Sequence, residues 1–226
     1  ALKLYLETNK FKSVEIHNLR LAFEQVTGED LNWFFNQWFL SPGHPEITIR
    51  TSYDETTKKE KVVITQTQSF AKTPPYEIPM YIDIYSGASV ERKKVRVENA
   101  TQEFNFDVAQ KPDLVNVDAE KALLCRKTDI KSVNEWAFQY THAPLYLDRA
   151  EALSAMATIA SNSDTISTAA EKSAAGKTII TALDDKFWGL RLRAAYMLKL
   201  CLAGNEQEIK NKLMRLVTDD KALVRE

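Results

Sequence analysis

Between Ile47 and Lys127 the apolar residues alternate with polar ones, and no helical stretch interrupts the alternation. Seven short runs carry it: ITIRTSY, KVVITQTQ, EIPMYIDIY, KKVRV, QEFNFDV, DLVNVD and ALLCR. Each is rich in β-branched or aromatic residues and is bounded by polar, Gly or Pro turns. Parallel neighbours would need crossover connections of a dozen or more residues, and runs spaced roughly ten residues apart leave no room for them. The spacing therefore predicts an antiparallel β-sandwich over residues 46–128. Within it, KKEK at 58–61 reads as a charged hairpin turn.

On both sides of this stretch the period is helical. From Ala1 to Pro45 the repeat begins with Leu2, Tyr5 and Leu6. Ser13 is read as the N-cap of a second helix with the stripe Ile16, Leu19, Phe23 and Val26, closed by Gly28. Asp30 is read as the cap of a third, whose Leu31, Phe34, Phe35 and Trp38 share one face while Asn36 and Gln37 lie off it, until Pro42 and Gly43 stop it. Each large aromatic buries about 150–250 Å², so this face predicts packing against neighbouring helices and the first strands, with residues 41–45 fixing the angle between domains. Wherever it lacks a partner, it predicts self-association.

After Ser132 the helical repeat resumes with Val133, Trp136 and Tyr140, then an alanine-rich stretch around Ala169–Ala175, RLRAAYMLKLCLAG and IKNKLMRLV. Asp-Asp-Lys at 184–186 returns at 219–221, followed each time by an apolar pair and by Arg191 or Arg225. Helices that begin Arg-Ala recur at Arg149 and Arg193. The recurrence predicts stacked helix pairs of the HEAT type. The fold class read from the chain is thus multi-domain α and β: a short helical segment (1–45), an antiparallel β-sandwich (46–128) and an all-α HEAT-like repeat domain (129–226). Ala1 falls inside a helical pattern and Glu226 falls where a further helix should begin, so a piece of a longer protein is expected.

Chemistry is sparse. Lys and Arg number 30 against 31 Asp and Glu, a formal charge of −1 that gives no global field for nucleic acid or an anionic membrane. No run is long and apolar enough to cross a bilayer. Cys125 and Cys201 lie far apart without a CxxC and read as free, buried thiols. His17, His44 and His142 are distant in sequence, and the H-E-x-x-H that places two imidazoles on one zinc is absent. His17 reads as structural, His44 as part of a turn held by a hydrogen bond, and His142 as the residue before a helix break. With 6 Gly in the chain there is no phosphate-cradling loop and no G-x-S-x-G elbow. Glu24, Glu29 and Asp30 read as capping groups, and Tyr76, Tyr81 and Tyr85 as packing residues in preference to a base-stacking platform.

The segment LYLETNKFKSVEIHNLRLAFEQVTGEDLNWFFNQWFLSPGHPEITI resembles the end of the catalytic domain of the aminopeptidase N-like zinc metallopeptidases, the gluzincin aminopeptidases. The match is carried by Leu31, Phe34, Phe35, Trp38, Gly43 and Pro45, with Tyr5 and Leu6 upstream. KPDLVNVDAEKALL (111–124) is similar to the closing strands of that family's sandwich, and FWGLRLRAA (187–195) to its helical-repeat signature. The resemblance implies a non-catalytic C-terminal fragment of a zinc-dependent enzyme that removes N-terminal amino acids from peptides. The fragment would brace the catalytic domain and wall the peptide cavity. Zinc is implied for the parent and no metal or cofactor for this chain, because the family's G-x-M-E-N and H-E-x-x-H motifs, its Glu ligand and its transition-state Tyr belong upstream. Tyr5 matches the later helix and not that Tyr, so no residue here is assigned a catalytic, cofactor-binding or metal-binding role. The implied partners are the missing catalytic domain and, in the parent, a peptide, with no nucleic acid and no membrane span. The alternative is a protein-binding scaffold from a catalytically degenerate relative.

Overall fold

The computed structural model describes residues 1–161, 163–200 and 204–225. It opens with α1 (Leu2–Thr8), α2 (Ile16–Thr27) and α3 (Asn32–Phe35). The N-cap of α2 is Glu15 and not Ser13: the Glu15 backbone N–H donates to Asn18 Oδ1 at 2.8 Å, closing the first turn where Ser13 is too far upstream. Gly28 ends α2 in the left-handed conformation (φ 75°), which costs a residue without Cβ nothing. Asp30 works from just outside α3, its carboxylate accepting the Asn32 N–H at 2.8 Å, while Leu31 is the N-cap. A π-helical turn, Asn36–Leu40, follows α3 directly.

Seven strands form the middle of the chain: β1 (Glu46–Asp54), β2 (Lys59–Gln66), β3 (Ile78–Ser86), β4 (Ser89–Val97), β5 (Thr101–Asp107), β6 (Leu114–Val117) and β7 (Arg126–Ile130). They pair in two sheets of order β5-β2-β1-β7 and β4-β3-β6. Alternate residues of the two sheets, among them Ile47, Ile49, Val62 and Ile64 against Ile78, Met80, Ile82 and Val117, fill the layer between them.

Three details differ from the sequence reading. The hairpin turn occupies residues 55–58, and Lys59, Glu60 and Lys61 belong to β2. The seventh strand is Arg126–Ile130 and not ALLCR, because Ala122–Leu124 form an open connection in which Leu124 is exposed. Finally, β7 runs parallel to β1, with Glu46 opposite Arg126 and Arg50 opposite Ile130. This parallel pair needs no crossover helix because the rest of the sandwich is the connection.

Among the described residues six α-helices follow: α4 (Val133–His142), α5 (Tyr146–Ala160), α6 (Ala169–Thr181), α7 (Trp188–Met197), α8 (Glu206–Leu216) and α9 (Ala222–Arg225). Ser132 with Glu135, and Thr168 with Glu171, close capping boxes at the starts of α4 and α6. Val133, Trp136 and Tyr140 are buried as one stripe and share a core with Leu153, Met156, Ile179, Ile180 and Leu190. The readings made for Cys201 and Glu226 lie outside the described residues. The helical part thus packs as stacked pairs, following the helical segment and the sandwich in the expected order.

The recurrent Asp-Asp-Lys has a structural meaning. Arg149 pairs with Asp185, and Arg191 holds Asp219 with two bonds, Nε–Oδ2 at 2.6 Å and Nη2–Oδ1 at 2.7 Å. Each repeat presents an Arg to an Asp of the next, and the Arg191–Asp219 pair is bidentate.

Candidate functional site

Two features stand out as built: the aromatic joint between the first helices and the sandwich, and a buried charge cluster between the sandwich and the later helices.

At the joint the π-helical turn widens the spiral by one residue per turn. Phe39 lies on the Phe35 ring at 4.8 Å, nearly parallel to it, with its centroid 6.2 Å from that of Phe34. Trp38 packs on Tyr76 at 4.9 Å and so joins the sandwich core. Gln37 makes the polar half of the attachment. Its Nε2 donates to the Glu77 carbonyl at 2.7 Å and its Oε1 accepts the Glu77 N–H at 2.9 Å, as a strand neighbour would. Gln66 does the same for Tyr76 from inside the sandwich, with Nε2 donating to the Tyr76 carbonyl and Oε1 accepting its N–H, both at 2.7 Å. The Tyr76 hydroxyl donates to the Gly43 carbonyl at 3.2 Å. Arg96 lies 4.7 Å from the Trp33 ring and pairs with Glu77. Beside this attachment lies an apolar cavity of about 610 Å³, lined by Trp33, Phe34, Trp38, Phe39, Met80 and Leu124 among others.

At the second junction the turn after β6 carries Asp118 and Lys121 at φ 55° and 50°, a left-handed backbone that side chains resist. That turn drives Lys121 inward. Its Nζ lies 2.8 Å from Asp148 Oδ1 and 3.3 Å from Glu151 Oε2, both on α5, and donates to Asn116 Oδ1 at 3.0 Å. Lys127 of β7 approaches Glu151 Oε1 at 2.7 Å, and Gln139 of α4 donates to the Asp148 carbonyl at 2.9 Å. Burial pulls the Lys121 ammonium down, but Glu151 and Asp148 outweigh it and hold its pKa above the ordinary lysine value. Burial likewise pushes Glu151 up, and Lys127 and Lys121 outweigh it and hold the carboxyl low. Paired charges of this kind lock two elements in one register and perform no chemistry by themselves.

The histidines do not converge on a site. The His17 ring is half exposed, 3.3 Å from Glu15. His44 is exposed, and the turn around it is held by the Tyr76–Gly43 bond instead of by its ring. His142 stacks on Phe138 at 3.9 Å. Among the described residues no group of three or more His, Cys, Asp or Glu side chains is arranged to hold a metal ion. Cys125 is a free, half-buried thiol pushed up to about 11 by burial, far from thiolate reactivity at neutral pH. Tyr76 and Tyr85 are buried and Tyr81 lies under Arg92, as packing residues would. Glu24 accepts the Leu31 N–H at 3.0 Å, and it closes the α2–α3 turn as a cap. No helix among the described residues is long and apolar enough to cross a membrane.

No protein-family model matches the chain, and neither does any curated protein. Among solved structures the chain is similar to Legionella pneumophila aminopeptidase A, determined in complex with aspartic acid, with a TM-score of 0.72 and 15% identity. The match covers 96% of this chain and 29% of that one, so the chain spans under a third of the length of the structure it resembles. At that identity the likeness is one of fold: helices, sandwich and helix pairs follow in the same order and arrangement.

Residues missed by the sequence reading share one trait. Gln37, Gln66, Lys121 and Asp148 act through partners distant in sequence, 40 residues away for Gln37 and 32 for the Asn116–Asp148 bond. The one available signal was a polar side chain in an otherwise apolar setting, such as Gln66 at the end of VVITQ.

Proposed function

We propose that this chain is the rear, non-catalytic part of a zinc-dependent aminopeptidase. Residues 1–45 are read as the helical end of the catalytic domain, 46–128 as the sandwich that braces it, and 129–226 as helical repeats that help wall a peptide cavity. The observation that carries this reading is the aromatic joint. Phe34, Phe35 and Trp38 present one continuous surface, of which Trp38 is used by the sandwich while Phe34 and Phe39 face outward beside an apolar cavity. A missing domain is the partner this surface suits. The likeness to an aminopeptidase over nearly the whole chain supports the same assignment.

On this reading the chain holds no catalytic, cofactor or metal residue, and its partner is the catalytic domain, with peptide bound only in the parent. The chain itself is expected to show no turnover of amino-acid anilides when zinc is added. The deciding experiment is to extend the reading frame upstream and assay the full-length product. An H-E-x-x-H followed by a Glu about one long helix later, with zinc-dependent hydrolysis, is the expected result. A full-length protein without that motif overturns the peptidase assignment, and an intact architecture with substituted ligands identifies a binding scaffold instead.

A further inference from the structure

Where the edge of the sandwich meets the first turn of α4 there is a small polar cavity of about 170 Å³, lined among others by Thr51, Tyr53, Glu60, Lys111, Ile130 and Glu135. Glu60 of β2 is only 3% exposed, and among the described residues its carboxyl makes neither a hydrogen bond nor an ion pair. A buried carboxylate without a donor is costly, so such a group ordinarily has either a partner or a proton.

The surrounding groups favour the proton. The flanking Lys59 and Lys61 are occupied elsewhere, 3.0 Å from Asp107 and 2.9 Å from Glu103. Tyr53, opposite Glu60 on β1, donates its hydroxyl to the Ala109 carbonyl at 3.4 Å, and Phe106, opposite on β5, carries no charge. Asp129 of β7 pairs with Lys131, just past the strand's end. From α4 comes a second carboxylate: Glu135 Oε2 accepts the Ser132 N–H at 2.8 Å and its hydroxyl at 2.6 Å to close the capping box. Among the described residues the Lys111 amine, on the exposed loop before β6, opposes the accumulation of negative charge.

We propose that this cavity is a proton-operated clamp between the sandwich and the helical region. With Glu60 protonated, the sheet edge packs against α4. With Glu60 ionised, its charge faces Glu135 and loosens the capped first turn of the helix.

Burial first, and Glu135 second, push the Glu60 carboxyl up to about 7 from an ordinary 4.5. The folded form therefore keeps a proton that the open form releases. The clamp is at full strength below pH 4.5, weakens as pH rises towards 7 and levels off above it. Between pH 5 and pH 8 the closed-to-open ratio should fall on the order of 100-fold.

Two measurements on the 226-residue chain test this. A carbon-13 NMR titration of the Glu60 carboxyl should show a midpoint near 7, and a midpoint below 5.5 overturns the proposal even if no variant folds. Amide exchange of Trp136 and Ala137 should then be compared between the native chain and Glu60→Gln at each pH. At pH 5 the two should match, and at pH 8 the native α4 should exchange faster by a factor on the order of 100. An equal ratio at both pH values, or the same acceleration in the β3 core, overturns it.

Discussion

Gly43 shows how tightly the joint is specified at the level of single residues. Its φ is +89°, and a Cβ built there would lie 2.3 Å from Thr73 Oγ1 and 3.0 Å from Thr73 Cγ2. Left-handed strain and the clash add, so Gly43→Ala is expected to destabilise the chain by about 2–4 kcal/mol, read as a lower urea midpoint with an unchanged slope. Gln66 is equally committed, with both amide atoms used inside the sandwich. Gln66→Leu strands the Tyr76 N–H and carbonyl and should cost about 2–3 kcal/mol in the same measurement. The sequence made the glycine legible as a helix stop beside Pro42, but the contact that forbids any other residue comes from Thr73, 30 positions on. Gln37 was placed off the apolar face, correctly, yet nothing local announces that it would bond a strand backbone.

At the level of elements, the β7–α5 junction depends on charges that must stay paired. Asp148→Ala leaves Lys121 buried beside a single remaining carboxylate and should cost about 3–5 kcal/mol, measured by chemical unfolding. Glu151 gives this junction an acid limit. Its folded pKa lies below the ordinary 4.5, so its contribution is present above that value and is lost as pH falls through the folded pKa. Acid unfolding of the native chain should therefore steepen below pH 4.5, and Glu151→Gln should flatten that limb. The same junction explains why β7 was misplaced in the sequence. Its half-buried positions are Lys127 and Asp129, whose burial is made tolerable by Glu151 and Lys131, whereas ALLCR has the apolar look of a strand and lies in a connection. Alternation located six strands well because most of their inward residues are apolar, with Glu60 and Gln66 of β2 as exceptions. It carries no information on which neighbour a strand takes, so the parallel β1–β7 pair was invisible. The π-helical turn was invisible for a related reason: it changes the spacing of the backbone hydrogen bonds and leaves composition and apolar pattern as they were.

Across the whole molecule, the exposed aromatic and aliphatic side chains are concentrated at the first helices and the cavity beside them, with Phe39 50% and Leu40 63% exposed. The chain on its own is expected to self-associate through this face. Sedimentation velocity should show a concentration-dependent shift that Leu40→Glu abolishes while leaving the unfolding free energy within about 0.5 kcal/mol of the native chain. The order of helices, sandwich and helix pairs was readable from period alone, since each texture persists for tens of residues. How they attach was not, because the attachments are made by Gln37, Lys121 and Asp148. The β1–β7 pair has a mechanical meaning. Because β1 and β7 run the same way, the chain enters the sandwich at Glu46 and leaves it in the same direction, at Ile130 beside Arg50. Tension between the two helical parts would pull these neighbours lengthwise in opposite directions, so that the five paired positions of the ladder bear the load together and do not peel apart in turn. The middle of the chain is built as a strut.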